Sequence, residues 1–109
     1  MKTYSVILTP EAEADLRDIY RYIASVLQER TTAQRLITKL RDSILELETM
    51  PERWNRYERE PWFSRGLRKA IVGNYVIFYL VQESAVLILA ILYGKREPQP
   101  LLDQRITNQ

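Results

Sequence analysis

Two long runs of β-branched and aromatic residues, 75–81 and 86–93, constrain the fold more than any other feature of the sequence. Gly73-Asn74 precedes the first run, and a glycine at the first central position of a two-residue turn suits the type II′ geometry, which requires positive φ there. Residues 82–85 supply a second reversal, so segment 66–97 predicts three antiparallel strands. Because both runs are almost free of charge, we expect strands that are covered on both faces, or on one face by the chain and on the other by a partner.

Positive side chains gather at the ends of this predicted sheet. Arg65, Arg68 and Lys69 precede it, and Lys95 and Arg96 follow it. The first 50 residues contain seven Lys and Arg against eight Asp and Glu, whereas the remainder contains nine against six, which gives net charges of −1 and +3. Such segregated positive charge indicates an anionic partner, either nucleic acid or an acidic protein.

The first half of the chain predicts one strand followed by a helix. Residues 3–8 alternate weakly and indicate a strand. Thr9 can accept a hydrogen bond from a free backbone N–H group and Pro10 suits the first helical turn, so we expect the helix to begin here. Its apolar stripe has the three- and four-residue spacing of an amphipathic helix and consists of Ala12, Leu16, Ile19, Tyr20, Ile23 and Leu27.

A second amphipathic helix follows a short link at residues 28–30. Thr31 with Gln34 predicts a capping box at its start, and Pro51 predicts its end. Two adjacent antiparallel helices need a sheet to cover their joint apolar face. The predicted fold class is therefore α+β, in the order β-α-α-β-β-β, with a helical hairpin packed on a mainly antiparallel sheet of three or four strands.

The length of 109 residues predicts one domain with a single modest core. We expect this domain at residues 1–97. Residues 98–109 contain two prolines and become polar after Leu102, which predicts a flexible C-terminal tail.

The composition excludes several classes of function. The chain has no cysteine and no histidine, which excludes disulfides, zinc sites of the Cys/His kind and histidine-dependent nucleophilic catalysis. No apolar run approaches the roughly 18 residues of a membrane-spanning helix, and the N-terminus does not look like a secretion signal, so we expect a cytoplasmic protein without a membrane partner. The acidic residues at the start of the first helix are explained by the helix dipole, so neither a metal site nor a cofactor is predicted.

Four segments, spread over about residues 3–97, carry a resemblance to a known family. They are Leu8-Thr9-Pro10-Glu11-Ala12, then Met50-Pro51-Glu52, then Gly66-Leu67-Arg68-Lys69 followed by Asn74-Tyr75-Val76-Ile77-Phe78-Tyr79, and last Leu92-Tyr93-Gly94-Lys95-Arg96-Glu97. In this order they resemble the RelE/ParE superfamily of bacterial toxins from type II toxin–antitoxin modules. No single segment is specific, and the resemblance depends on their order.

The resemblance implies a toxin that arrests growth when free and is neutralised by a cognate antitoxin, with which it forms a hetero-oligomer. RelE-like members bind the ribosomal A site and cut messenger RNA, whereas ParE-like members poison DNA gyrase. Antitoxins of this superfamily wrap the toxin with helices or an added strand. Fold resemblance does not distinguish between the ribosome and gyrase as the target, so the residues of the site must decide between them.

RNA cleavage by this superfamily needs a group that takes the ribose 2′ proton, cations for the charge on phosphorus and an acid for the leaving oxygen. The resemblance places one catalytic arginine at Arg96, but it places a second at Ile71 and a tyrosine at Leu102. If the protein cleaves RNA, the candidate catalytic residues are therefore Arg68, Lys69 and Arg96. Strand alternation puts Lys69 on the face of Ile71 and Arg68 on the opposite face.

These gaps favour a ParE-like inhibitor of gyrase, for which the candidate target-binding residues are Arg65, Tyr93, Lys95 and Arg96. An mRNA endoribonuclease without a metal is the alternative, and a non-toxic interaction module is a third. The plainer interpretation of Arg68 and Arg96 is that they form exposed ion pairs. We expect the antitoxin to contact the helix pair and the apolar sheet, because 86–92 offers more apolar surface than the helical hairpin can cover.

Overall fold

Four strands form a single mixed sheet in the computed structural model, which describes residues 2–107. In chain order they are β1 (Ser5–Leu8), β2 (Arg68–Val72), β3 (Tyr75–Val81) and β4 (Ala85–Tyr93). Their spatial order is β1-β4-β3-β2, with β1 parallel to β4 and both other pairs antiparallel. The predicted α+β class and mainly antiparallel sheet are confirmed, and the two apolar runs form its central strands.

The turn between β2 and β3 has the predicted form. Gly73 adopts a φ of +59°, whereas Asn74 is not among the residues with positive φ. Val72 pairs with Tyr75 directly across the turn. Positive φ at the first central residue alone is the mark of a type II′ hairpin, so this prediction is confirmed.

Helix α1 (Pro10–Arg21) begins where the sequence predicts. The Thr9 hydroxyl oxygen accepts a hydrogen bond from the Ala12 N–H group at 3.1 Å. Beyond α1 the chain continues as a π-helical turn, Tyr22–Val26. Such a turn fits one additional residue into the helix and is frequent at functional sites.

Helix α2 (Arg30–Leu45) begins earlier than the predicted capping box allows. Its N-cap residue is Glu29, which makes no side-chain capping bond. Thr31 and Gln34 therefore lie inside the first turns of the helix, and the capping-box prediction is wrong. A 3-10 turn, Glu46–Glu48, ends the helical hairpin.

The helical hairpin covers one face of the sheet, as predicted. Its apolar stripes and the sheet form a core whose buried members are Ala12, Leu16, Leu40, Ile44, Leu47, Ala70, Val72, Ile77, Tyr79, Val86, Ile88 and Ile91. We call this the helix-side core. No helix within residues 2–107 combines the length and the apolar character that crossing a membrane requires.

The opposite face of the sheet is covered by the chain itself, through helix α4 (Gln99–Thr107) and the segment around the short helix α3 (Trp62–Arg65). The buried residues of this second core are Tyr57, Trp62, Leu67, Phe78, Leu89, Ala90, Leu92, Leu102 and Ile106. The sequence predicts a tail at 98–109, but residues 99–107 instead form α4, whose Leu102 is fully buried. The last two residues of the predicted tail lie outside the described residues.

This second cover corrects the prediction for the antitoxin. Six of the seven residues in 86–92 are between 0% and 3% exposed. The apolar surface that was expected to need a partner is therefore already buried, because α4 covers the face that the helical hairpin cannot reach. The prediction that 86–92 exposes apolar surface for the antitoxin is therefore wrong.

A β-bulge in β4 redirects the side chains at its end. Phe78 pairs with Ala90 and Tyr79 pairs with Ile88, which leaves Leu89 as the additional residue. Before the bulge the even-numbered residue Ile88 faces the helix-side core, and after it the odd-numbered residue Ile91 does. Bulges re-aim side chains in this way.

A nearly buried ion pair ties α4 to α1 across the open edge of β4. The Arg105 guanidinium donates to both Asp15 carboxylate oxygens, at 2.7 and 3.0 Å, and to the Leu89 carbonyl at 3.0 Å. The same carboxylate accepts the Ile91 N–H at 2.9 Å. These side chains replace the strand partner that β4 lacks beyond the end of β1.

Tyr79 joins the sheet to the segment after the helical hairpin. It is fully buried, and its hydroxyl donates to the Pro51 carbonyl at 2.8 Å. Burial raises the pKa of Tyr79 to about 12, because the phenolate would lose its hydration.

Raising the pH should therefore destabilise the protein through Tyr79. Since the folded-state pKa lies above the unfolded value of about 10, this contribution is complete below pH 10 and is lost as the pH rises toward 12. The full loss amounts to about 2–3 kcal/mol of unfolding free energy. Tyr79→Phe should be about 1 kcal/mol less stable near pH 8 but show a shallower decline above pH 10 in urea titrations. An identical decline in both proteins would contradict the assignment.

Candidate functional site

Four of the five cations predicted at the ends of the sheet line two clefts that share no lining residue, and Lys95 lines neither. We call the first, of about 160 Å³, the cationic cleft; its lining is Tyr57, Lys69, Val76, Phe78, Leu92, Tyr93, Gly94, Arg96 and Pro98. We call the second, of about 400 Å³, the arginine cleft; its lining includes Lys2, Glu52, Arg56, Arg65, Arg68 and Glu83. The two candidate arginines Arg68 and Arg96 are therefore not neighbours.

Arg68 is separated from the other candidate catalytic residues by strand geometry. Its side chain lies on the helix side of β2, where its guanidinium donates to the Trp54 carbonyl at 2.6 Å and more weakly to the Glu52 carbonyl at 3.5 Å. Arg68 thus holds the segment before α3 against the sheet. A single site containing Arg68, Lys69 and Arg96 is not what the structure contains, because consecutive strand residues point to opposite faces.

Lys69 lies on the other face, in the cationic cleft. Its ammonium nitrogen lies 5.4 Å from the centre of the Tyr57 ring and 3.2 Å from a Glu58 carboxylate oxygen. The hydrogen bond from Lys69 is the main reason that the pKa of Glu58 lies below its usual value. The Glu58 side chain is largely exposed, so this ion pair contributes little to stability.

Tyr93, Lys95 and Arg96 form an exposed tip at the end of β4. The Gly94 N–H donates to the Asn74 carbonyl at 2.7 Å, and the Arg96 N–H donates to the Tyr93 carbonyl at 2.9 Å. A Cβ atom on Gly94 would lie 3.1 Å from the Asn74 oxygen, so a glycine permits this close approach. The tip places Arg96 and Lys69 in the same cleft.

Ile71 and Leu102 occupy the positions at which the resemblance expects catalytic groups. Ile71 is 53% exposed on the face of Lys69, with no polar atom in its side chain. Leu102 lies on α4 and is fully buried in the second core. Among the described lining residues of the cationic cleft, the charged groups are Lys69 and Arg96. This arrangement can bind an anion, and the Glu58 carboxylate beside it is held in an ion pair with Lys69.

Arg65 belongs to the arginine cleft and lies apart from the other candidate target-binding residues. The aromatic residues beside it are mainly packing residues, since Trp62 is 4% and Tyr57 is 7% exposed. Their rings lie 5.8 Å apart. Only Phe63 is markedly exposed among the aromatic residues of the described segment 54–63, and the Arg56 guanidinium lies 5.6 Å from its ring centre.

A third cleft, of about 610 Å³, lies between the π-helical turn and the end of β4 and was not predicted from the sequence. We call it the tyrosine cleft; its lining is Asp15, Asp18, Ile19, Tyr22, Ile23, Leu27, Tyr75, Ile91, Leu92, Tyr93 and Arg96. It adjoins the cationic cleft through Leu92, Tyr93 and Arg96. The sequence carried a weak signal for it, because Tyr22 lies outside the apolar stripe of the first helix.

Comparison with known proteins identifies relatives of this chain. Residues 6–98 match the family described as ParE toxin of the type II toxin–antitoxin system parDE. No curated protein sequence matched. Among solved structures, the chain is similar to one from the chromosomal ParDE system of P. aeruginosa, with 21% identity, a TM-score of 0.71, and coverage of 85% of this chain and 98% of the other. It is also similar to one from the RelBE2 toxin–antitoxin complex of Mycobacterium tuberculosis, with 22% identity, a TM-score of 0.64, and coverage of 85% and 93%.

Proposed function

The chain belongs to the ParE toxin family of the RelE/ParE superfamily, and from this premise we propose that it arrests growth by inhibiting DNA gyrase without cutting nucleic acid. Membership in this family makes it the toxin component of a type II toxin–antitoxin system with a cognate antitoxin as partner. Fold similarity does not choose between gyrase and the ribosome, because both ParDE and RelBE structures are similar to it. Gyrase acts in the cytoplasm, so we expect the toxin to act there.

The observation that supports gyrase is the apolar character of Ile71 and Leu102, where the resemblance expects catalytic groups. RNA cleavage requires proton transfer as well as charge stabilisation. Ile71 and Leu102 are apolar, and Leu102 is fully buried, so neither supplies the arginine or the tyrosine that the RNA-cleaving branch uses. What remains is a cationic surface suited to binding.

We propose that the tip formed by Tyr93, Lys95 and Arg96 makes the main contact with gyrase. All three side chains are exposed, and Arg96 forms no ion pair with any residue in 2–107. Unpaired cations complement an acidic protein surface. Arginine and tyrosine also contribute much of the binding energy at many interfaces. Arg65 would contribute a second, separate contact from the arginine cleft.

One observation favours RNA cleavage as the second candidate. Lys69 and Arg96 line the same cleft together with Tyr57 and Tyr93. Two cations with phenols nearby could hold a phosphate during transfer. This alternative therefore depends on Lys69 and Arg96 and not on Arg68.

Inducing the toxin without its antitoxin separates these functions. We expect growth arrest together with double-strand breaks and loss of plasmid supercoiling, while full-length messages persist. Cleaved messages with normal supercoiling would contradict gyrase inhibition and favour the ribonuclease. Continued growth, with the protein present and folded, would indicate a non-toxic interaction module.

A further inference from the structure

The arginine cleft collects positive side chains that no carboxylate neutralises. Its cationic lining residues are Lys2, Arg56, Arg65 and Arg68. Glu52 and Glu83 also line it, and four cations against two carboxylates leave a formal charge of +2. The ion pairs within residues 2–107 involve none of these six side chains. The charge of the cleft is therefore available to a negatively charged partner.

Two of these arginines are direct neighbours across paired backbone segments. Arg56 forms an isolated antiparallel bridge with Arg68. Backbone hydrogen bonds of 2.7 and 3.3 Å join the residues on either side of the pair. In a non-hydrogen-bonded pair of this kind the Cα atoms lie only about 4.5 Å apart, and like charges directly opposite each other are destabilising. An anion bound between the two guanidinium groups would remove this repulsion.

Contacts within the chain hold both arginines in place. The Arg68 guanidinium donates to the Trp54 carbonyl at 2.6 Å, which leaves its other N–H groups for a ligand. The Arg56 guanidinium lies 5.6 Å from the centre of the Phe63 ring, a cation–π contact. An arginine that is already held loses less conformational entropy when it binds.

The turn after α3 brings Arg65 into the same cleft. The Gly66 N–H donates to the Phe63 carbonyl at 3.1 Å, and the Leu67 N–H donates to the Trp62 carbonyl at 3.0 Å. These two bonds form a Schellman motif, for which Gly66 supplies the positive φ of +83°. Because the motif ends the helix at Arg65 and leads directly into β2, Arg65 lies close to Arg68.

The polar lining of the cleft indicates a nucleic acid and not a protein or a small molecule. Protein interfaces have an apolar centre, and small-molecule pockets are mostly apolar. Here Tyr4 and Val81 are the large apolar lining residues, and both are only partly exposed. Interfaces with nucleic acid are more polar and much more positive. Arginine and lysine contact phosphates there without reading the bases.

The aromatic residues favour a duplex over a single strand. Proteins that bind single strands stack successive bases on exposed aromatic rings. In the described segment 54–63, only Phe63 is markedly exposed, whereas Tyr57 and Trp62 are buried. The Phe63 ring is already in contact with Arg56. A row of rings for unpaired bases is therefore not what this segment offers, and contact with the outer phosphates of a duplex suits it better.

We propose that the arginine cleft binds the phosphate backbone of duplex DNA through Arg56, Arg65 and Arg68, with Lys2 as a further contact. The inference goes beyond gyrase inhibition. Its choice of DNA over double-stranded RNA rests on the proposed function, because gyrase acts on DNA. The contact that we assign to Arg65 is then made with the DNA that gyrase holds.

The position of the cleft allows one toxin to contact gyrase and its DNA together. Tyr93 in the tip pairs with Tyr75 at the start of β3. Val81, at the other end of β3, lines the arginine cleft. The strand between them spans roughly 20 Å. A toxin bound to gyrase through the tip and to DNA through the cleft would keep the cleaved DNA on the enzyme.

Fluorescence anisotropy of a short labelled DNA duplex, titrated with free toxin in the absence of gyrase, tests the proposal. We expect Lys2→Gln/Arg56→Gln to bind at least about 10-fold more weakly at about 0.1 M salt. The slope of log K against log salt should become less steep by about two, because two phosphate contacts are lost. Arg65→Gln repeats the test at another wall of the cleft and should reduce the slope by about one.

Arg35→Gln/Lys39→Gln is the matched control. It removes one arginine and one lysine as well, but both are exposed on α2 and line none of the three clefts. The control should bind DNA within about threefold of the wild type, because remote charges are screened. Thermal melting shows whether each variant folds.

Wild-type affinity and salt slope in the folded cleft variants would overturn the proposal. An equal loss in the control would do so too, since binding would then follow net charge alone. Tighter binding of single-stranded DNA or duplex RNA, or displacement of the duplex by polyglutamate at equal charge, would assign the cleft to another partner. Because gyrase is absent from the assay, DNA binding without gyrase inhibition would contradict only the proposed function, and inhibition without DNA binding would contradict only this inference.

Discussion

Asp15→Ala is expected to lower the free energy of unfolding by about 3–5 kcal/mol, the usual cost of breaking a buried ion pair. The side chains of Asp15 and Arg105 are each 12% exposed. Removing the carboxylate leaves the Arg105 guanidinium without its partner and the Ile91 N–H without an acceptor. Because the pair ties α4 to α1, we expect the second core around Leu102 to loosen first. Urea titration and hydrogen exchange measure both effects.

Asp18→Ala is the matched control for this prediction. Asp18 lies three residues further along the same helix, is exposed and forms no ion pair with another described residue. Its removal should change the unfolding free energy by less than about 0.5 kcal/mol. Adding Arg105→Met to Asp15→Ala should recover part of the loss, because the unpaired charge is gone. Equal stability of Asp15→Ala and Asp18→Ala would contradict the anchoring role of the pair.

Arg96→Glu is expected to raise the concentration of toxin that half-inhibits gyrase by at least about 100-fold, or roughly 2.8 kcal/mol. Arg96 borders both the cationic and the tyrosine cleft and is exposed. Reversing its charge places a negative group against a surface that we expect to be acidic, and like-charge contacts cost several kcal/mol at interfaces. The variant should fold normally, since its side chain supports no described contact in the core.

Arg35→Glu controls for the change in net charge. Arg35 is exposed on α2 and lines none of the three clefts. It should leave gyrase inhibition within about threefold of the wild type, because remote surface charges act mainly through weak, screened fields. Inhibition by Arg96→Glu at wild-type concentrations would show that the tip does not contact the target.

Local chemistry made much of the fold predictable from the sequence. Thr9 caps α1 because its hydroxyl accepts a hydrogen bond from a backbone N–H group of the first turn. Gly73 forms the type II′ turn because glycine readily adopts the positive φ that this position requires. The apolar runs identified β3 and β4 because strands covered on both faces need such composition. The order of the four strands and of the two long helices followed from these signals, whereas the short helix α3 was not predicted.

What the sequence did not predict depends on contacts between distant residues. Helix α4 has a weak amphipathic pattern, and its position is determined by Leu102 in the second core and by Arg105 on Asp15, which lies 90 residues away in the sequence. The bulge at Leu89 reverses the alternation of β4, so a regular period of two assigns Ile91 to the wrong face. The tyrosine cleft depends on this bulge and on the π-helical turn after α1, neither of which the sequence predicted.

The candidate site was predictable in part. Strand alternation correctly separated Lys69 from Arg68. The assignment of Ile71 and Leu102 to the positions of catalytic groups stays a prediction. The hydrogen bond from Arg68 to the Trp54 carbonyl was not predictable from the sequence, because it depends on the path of the segment before α3. The roles of these residues in binding a target stay predictions.

Supercoiling of relaxed plasmid by purified gyrase, with increasing amounts of this toxin, shows whether the protein inhibits gyrase. We expect supercoiling to be inhibited with cleaved DNA trapped on the enzyme, and equimolar antitoxin to restore it. The same toxin preparation should leave message intact in a translating extract. Unimpaired supercoiling at a large excess of folded toxin, together with message cleaved at the ribosome, would contradict gyrase inhibition.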